Sequence, residues 1–375
     1  MKVQGIDHLE FYVADASRAA DELCAAYGFR VHGKGGPETG LAGQRSVLVR
    51  LADIQILLTS AISADHPAAE YVRRHGDGVA IIAFSVDDAT AAFDQAVRLG
   101  ADGVAEPAVY ERDFSRVRFA TVSGFGDVAH RLVERHGPAE DFAPCAIETW
   151  VAPDGVGAEG EDDDVVDTID HVALCLPTGT LAEVVARYCD VFGFDQIFEE
   201  RIEVGSQAMD SKVVQCPSGA VTFTMLEPSG SEPGQIDQFL HSHGGAGVQH
   251  VAFGTADIST AVRTLQERGV RFLTTPPAYY DALQRRLGVA EIPVQQLRDL
   301  NVLADRDSWG MMFQIFTQSV HQRRTLFFEL IERRGALTFG SRNIRALYEA
   351  VERERVAVSP QPDPRTGPGA TPAHA

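Results

Sequence analysis

The chain has 375 residues, 45% of them hydrophobic and 23% charged, with a formal net charge of −20. That length suits two or three domains with ample apolar material for their cores, and the charge argues against binding nucleic acid or an anionic membrane, whose phosphates it would repel. Five cysteines without a CxxC pair fit a reducing compartment without a disulfide framework; with no apolar leader and no run of about 18 apolar residues, a cytoplasmic protein is expected.

The first half opens on a strand at Ile6 to Val13 and a helix at Ala16 to Tyr27 that stops at Gly28, because its apolar residues recur at helical spacing up to that glycine. Strands follow at Phe29 to His32, Ser46 to Leu51 and Ile54 to Thr59, parted by turn residues such as GKGGPETG. The same order restarts with a strand at Val79 to Val86 and a helix at Ala89 to Leu99, then strands to about Leu132. Between 138 and 167 the pattern breaks into Pro, Gly and the acidic run EGEDDDVVD, which reads as an exposed connection between halves.

The second half repeats the scheme. A strand at His171 to Leu176, a helix at Leu181 to Phe192 and strands at Gln196 to Val204, Ser211 to Gln215 and Val221 to Leu226 precede a strand at Val248 to Gly254 and a helix at Ile258 to Glu267. An insertion, Tyr279 to Leu303, has no counterpart in the first half; a last strand at Met312 to Thr317 and the segment Thr325 to Glu332 lead to a helix at Ile344 to Glu354. The tail after Ser359 is rich in Pro and Gly and reads as disordered. The domains are thus 1–137, a connection over 138–167, 168–358, and a tail over 359–375.

Three internal repeats locate a site. IDHLEFYV (Ile6 to Val13) returns as IDHVALCL (Ile169 to Leu176), GDGVAIIAF (Gly76 to Phe84) as GAGVQHVAF (Gly245 to Phe253), and HRLVERHG (His130 to Gly137) as FELIERRG (Phe328 to Gly335). The second half therefore carries His171, His250 and Glu329 where the first carries His8, Ile81 and Arg131. Two histidines and one carboxylate are the ligand set of a mononuclear non-haem iron(II) centre with open positions. Glu329 lies among Phe327, Phe328 and Leu330, where an ionised acid needs a strong partner.

Together with PPAYYDAL, NVLADRD, QIFT and FGSRNI, these motifs make the chain resemble, from about Ile6 to Glu354, the 4-hydroxyphenylpyruvate dioxygenase and 4-hydroxymandelate synthase family of the vicinal oxygen chelate superfamily. The resemblance implies an α+β fold of two tandem domains, each an open barrel-like sheet of paired βαβββ modules. It implies Fe(II) held by His171, His250 and Glu329, dioxygen as co-substrate, and a small aromatic 2-oxo acid as substrate, with neither nucleic acid nor membrane as partner and with a homodimer admitted. Ser211, Gln235, Gln249 and Gln314 match polar residues of the family's substrate pocket, Phe316 and Phe339 match aromatics near the substrate ring, and Asn343 matches the segment that closes the site.

Departures from the dioxygenase pattern choose between relatives. Where the dioxygenases read FPxNEP this chain has Thr224 for Pro and Leu226 for Asn, and where they read FGxGNF it has Ile344 for the last Phe. These changes are similar to the mandelate synthases, which implies conversion of 4-hydroxyphenylpyruvate and O2 to 4-hydroxymandelate and CO2, in the setting of antibiotic biosynthesis. The alternative is the homogentisate-forming dioxygenase. A glyoxalase-like isomerase, which uses a fourth protein ligand, and a metal-free drug-binding relative share the module plan.

Overall fold

The computed structural model describes residues 1–138, 141–149, 164–204, 207–287, 291–340 and 343–345. The acidic run up to residue 163, most of the helix expected from Ile344 and the tail over 359–375 lie outside them.

The first half runs β1 (Gly5–Tyr12), α1 (Ala16–Tyr27), β2 (Arg30–Gly35), β3 (Gln44–Leu51), β4 (Ile54–Ala61), α2 (Pro67–His75), β5 (Gly78–Ser85), α3 (Ala89–Arg98), β6 (Gly103–Arg112), β7 (Ser115–Phe125) and β8 (Val128–His136), followed by the short β9 (Glu148–Thr149). The second runs β10 (Thr168–Cys175), α4 (Leu181–Phe192), β11 (Asp195–Val204), β12 (Gln207–Gln215), β13 (Thr222–Pro228), α5 (Gln235–His243), β14 (Gly247–Gly254), α6 (Ile258–Glu267), α7 (Pro277–Leu287), α8 (Val294–Asp299), β15 (Leu303–Arg306), β16 (Met311–Phe316) and β17 (Phe327–Arg334). Two nine-residue helices, α2 and α5, were not anticipated, being too short to show a helical period. α5 starts where Gly234 N–H donates to the Asp237 carboxylate at 2.8 Å and buries Ile236 and Phe239.

Strand order confirms the doubling. Apart from β9, the first sheet reads β2-β3-β4-β1-β5-β8-β7-β6 and the second β11-β12-β13-β10-β14-β17-β16-β15, the same order element for element. Registers agree too. His8 pairs with Ala83 and Ala83 with Arg131, as His171 pairs with Ala252 and Ala252 with Glu329. Bulges recur at matching places, Ile6/His8 and Glu10/Phe11 against Ile169/His171 and Ala173/Leu174. Strand side chains alternate between faces, so each sheet has one face for the shared core and one for a cavity. On the core side, Tyr27 of α1 meets Phe328 edge-on at 5.1 Å, while Phe84 and His130 face Phe192 and Phe223. Burying each such aromatic contributes on the order of 2 kcal/mol.

Over residues 141–149 the connection is less exposed than expected. Phe142, Ala143, Ala146 and Ile147 are buried against Leu48 and Leu57, and β9 adds to the edge of β2. The apolar residues of FAPCAI, rather than the Pro and acid content of the connection as a whole, decide the outcome: they pack on the face of the first sheet that carries Leu48 and Leu57. No helix among the described residues is long and apolar enough to cross a membrane.

Candidate metal centre and cavity

His171, His250 and Glu329 stand on the adjacent strands β10, β14 and β17. Because Ala252 faces both His171 and Glu329, and His250 lies two residues along the same strand, period-two alternation turns all three side chains to one face. All are buried, and one donor atom from each falls within 4.8 Å of the others. Glu329 Oε2 lies 3.4 Å from His171 Nε2 and 3.3 Å from His250 Nε2. Ligands bound at about 2.1 Å on one octahedral face sit about 3 Å apart, so the spacing fits a small divalent cation. No fourth His, Cys, Asp or Glu joins the group among the described residues, as an open-sided oxygenase centre requires and a glyoxalase-like site does not.

The surroundings aim the donors. His171 Nδ1 donates to Asp170 Oδ1 at 2.8 Å, so that Nε2 is the nitrogen facing the centre and would offer its lone pair to a cation that displaced its proton. Arg333 in turn clamps Asp170 with Nε and a terminal nitrogen at 2.7 and 2.9 Å. His250 Nδ1 is 3.3 Å from Gln249 Oε1 and its ring stacks on Phe327 at 5.0 Å. Asp170 and Gln249 are the extra residues of the two bulges, which is how neighbours of the ligands turn toward the same space.

Burial resists charge on Glu329, but the facing histidines outweigh it and hold its carboxyl down to about 2. Burial also resists charge on His171, yet Glu329 and Asp170 push it up to about 9; burial keeps His250 below its ordinary value. Without a metal, a proton on His171 balances the Glu329 carboxylate, and a cation bound between them would take the place of that proton.

A cavity of about 940 Å³ opens from these ligands. Ser211, Thr224, Leu226, Gln235, Gln249, Gln314, Phe316, Phe339 and Ile344 all line it, so the structure brings together every expected pocket residue except Asn343, which stands one layer behind. Asn343 Nδ2 donates to Gln314 Oε1 at 2.9 Å, and Gln314 Nε2 donates to Glu329 Oε1 at 2.9 Å. The Thr224 hydroxyl is buried on the cavity wall without a hydrogen-bond partner, a position that rewards a polar ligand group. Leu226 and Ile344 belong to one apolar cluster with Cys175, Met209, Ile236 and Phe239. Phe339 sits edge-on to His171 at 5.3 Å. Toward the outside, Arg271, Arg323 and Arg324 line the cavity, a cationic rim on an acidic chain.

Asp170, Arg333, Phe327 and Tyr279 escaped the sequence reading. The repeated Asp-His doublet and the arginine shared by ERHG and ERRG were signals for the first two. The first half shows this independently: Arg135 clamps Asp7 at 2.6 and 2.7 Å while Asp7 lies 2.6 Å from His8 Nδ1.

A family model described as "Hydroxyphenylpyruvate dioxygenase, HPPD, N-terminal" matches residues 1–145, and one described as "Glyoxalase/Bleomycin resistance protein/Dioxygenase superfamily" matches residues 168–315. The 4-hydroxyphenylpyruvate dioxygenase of Dictyostelium discoideum is 33% identical over 363 residues, covering 94% of this chain and 98% of that protein. That of Aspergillus fumigatus is 33% identical over 376 residues, covering 94% and 93%. A solved structure of a mutant of 4-hydroxymandelate synthase from Streptomyces coelicolor is 44% identical, with a TM-score of 0.85, covering 95% of this chain and 100% of that one.

Proposed function

The chain belongs to the 4-hydroxyphenylpyruvate dioxygenase and 4-hydroxymandelate synthase family of the vicinal oxygen chelate superfamily, and on that premise we propose that it is a mandelate-forming member. It converts 4-hydroxyphenylpyruvate and O2 to 4-hydroxymandelate and CO2: the 2-oxo acid is oxidatively decarboxylated and its benzylic carbon hydroxylated. Iron(II) bound by His171, His250 and Glu329 would supply the redox chemistry that couples dioxygen to both changes.

The chain's own groups hold and orient. The Arg271, Arg323 and Arg324 rim favours entry of a carboxylate. Ser211, Thr224, Gln235 and Gln249 present polar atoms on the wall, while Phe316 and Phe339 flank the ligand histidines and bound an apolar slot for an aromatic ring. Asp170 and Gln314 keep His171 and Glu329 in fixed orientations.

The observation that carries the choice of product is the pairing of Leu226 with Ile344 in one apolar cluster. At these places the homogentisate-forming relatives carry an amide and an aromatic ring. Without that amide to bond the substrate and that face to seat its ring, the ring rests differently over the metal, and a displacement of on the order of 1 Å suffices to redirect such a reaction.

Anaerobic reconstitution with iron(II), then 4-hydroxyphenylpyruvate and O2, tests this by NMR. A para-disubstituted ring bearing a benzylic methine is expected. A trisubstituted ring with a methylene side chain, homogentisate, overturns the choice of product.

A further inference from the structure

The insertion that the first half lacks contributes Tyr279, near the start of α7, and its hydroxyl joins the two amides behind the metal ligands. Glu329 Oε1 accepts from Gln314 Nε2 at 2.9 Å, Gln314 Oε1 accepts from Asn343 Nδ2 at 2.9 Å, and Asn343 Oδ1 lies 2.7 Å from the Tyr279 hydroxyl. The carboxylate forces the orientation of both amides in this row. An ionised Glu329 only accepts, so Gln314 must turn its NH2 toward it and its carbonyl outward. That carbonyl only accepts, so Asn343 must turn its own NH2 inward and its carbonyl outward. The outward carbonyl then calls for a donor, and the phenol 2.7 Å away is placed to supply it; the Ala304 carbonyl at 2.8 Å competes for the same proton, while the phenol oxygen accepts from Ala304 N–H at 2.8 Å.

We propose that Tyr279 is a positioning residue: through Asn343 and Gln314 it holds Glu329 Oε1 away from the metal, so that only Oε2 binds and the remaining positions stay open for substrate and oxygen. This rests on the metal reading of His171, His250 and Glu329 and is independent of which product forms. The consequence is that Glu329 Oε1 is held only while Asn343 and Tyr279 are both in place. Gly340 shows how closely this is fitted, since a Cβ there would stand 2.6 Å from Gln314 Oε1.

Cobalt(II) titration of the metal-free full chain, followed by absorption spectroscopy, tests the relay without turnover. Tyr279→Phe keeps the ring and removes the donor. It should weaken Co(II) binding about tenfold, the lower end for groups that support a ligand, shift the ligand-field bands, and lower kcat more than it changes KM. Tyr280→Phe, whose ring packs on Tyr279 at 5.0 Å but whose hydroxyl lies outside the row, should match the unaltered chain. Should Tyr279→Phe fail to fold, Asn343→Asp, which keeps the shape and sets an acceptor against Gln314 Oε1, should give the same shifts. Co(II) affinity and spectrum in the variant identical to those of the unaltered chain overturn the relay, even if kcat falls. An unaltered chain that takes up no Co(II) overturns the metal reading and the relay with it.

Discussion

Arg131 occupies in the first sheet the register position that Glu329 occupies in the second, each lying opposite an alanine, Ala83 or Ala252, that also faces the histidine of the IDH motif. Its guanidinium approaches His8 Nε2 at 3.2 Å and Glu10 Oε2 at 2.6 Å, so an internal cation stands in the first half where the second has a place for a metal. Glu10 also accepts from Thr59, whose hydroxyl lies 2.9 Å from that of Ser46, and Phe142 covers His8 at 4.7 Å. The first site is filled by polar bonds and by the connection.

That network predicts a stability effect without a functional one. Arg131→Ala leaves Glu10 buried without its cation and with only the Thr59 hydroxyl as a partner, which should cost about 3–5 kcal/mol in urea unfolding. The metal content of the folded protein should be unchanged.

Gly340 has φ +63, and a Cβ would also meet Met312 Sδ at 2.9 Å. Gly340→Ala should cost about 1–2 kcal/mol for the left-handed backbone alone, and the collision with Gln314 should lower kcat further. Thermal unfolding and steady-state rates check the two effects separately.

The product choice predicts that Thr224→Pro, Leu226→Asn and Ile344→Phe combined shift the product mixture toward homogentisate. Chromatographic separation of the two acids measures the ratio. An unchanged ratio removes these three residues as its determinants.

Asp307 fastens the segment that follows β17 to the β15–β16 turn, accepting from the N–H groups of Trp309 and Gly310 at 2.8 and 2.9 Å and of Leu337 and Thr338 at 2.7 and 2.9 Å. Burial opposes its charge, but these backbone donors outweigh it and hold the carboxyl well below the usual carboxylate range. A depressed folded-state pKa contributes stability above the unfolded value of about 4, lost as pH falls through the folded one. Asp307→Asn should therefore be less stable than the unaltered chain at pH 7, and the gap should close progressively below about pH 4.

The two halves, their module order and the convergence of His171, His250 and Glu329 were legible in the chain because strand alternation and repeat spacing survive divergence: these three match His8, Ile81 and Arg131, and the two sheets share one register. α2 and α5 were not legible, since nine residues carry little periodicity. The burial of Phe142 and Ile147 was hidden by the acids beyond them. Asp170, Gln249 and Tyr279 act through bulges and a long-range hydrogen bond, whose geometry no local spacing encodes.

If the second half alone holds an ion, iron content after anaerobic loading and gel filtration reads it out. The unaltered chain and Arg131→Ala should each retain about one iron per chain, and His250→Ala should retain essentially none and show no oxygen uptake with 4-hydroxyphenylpyruvate, as expected when one of three protein ligands of such a centre is removed. Undiminished iron and turnover in His250→Ala would rule out His250 as a ligand and, with it, this metal centre.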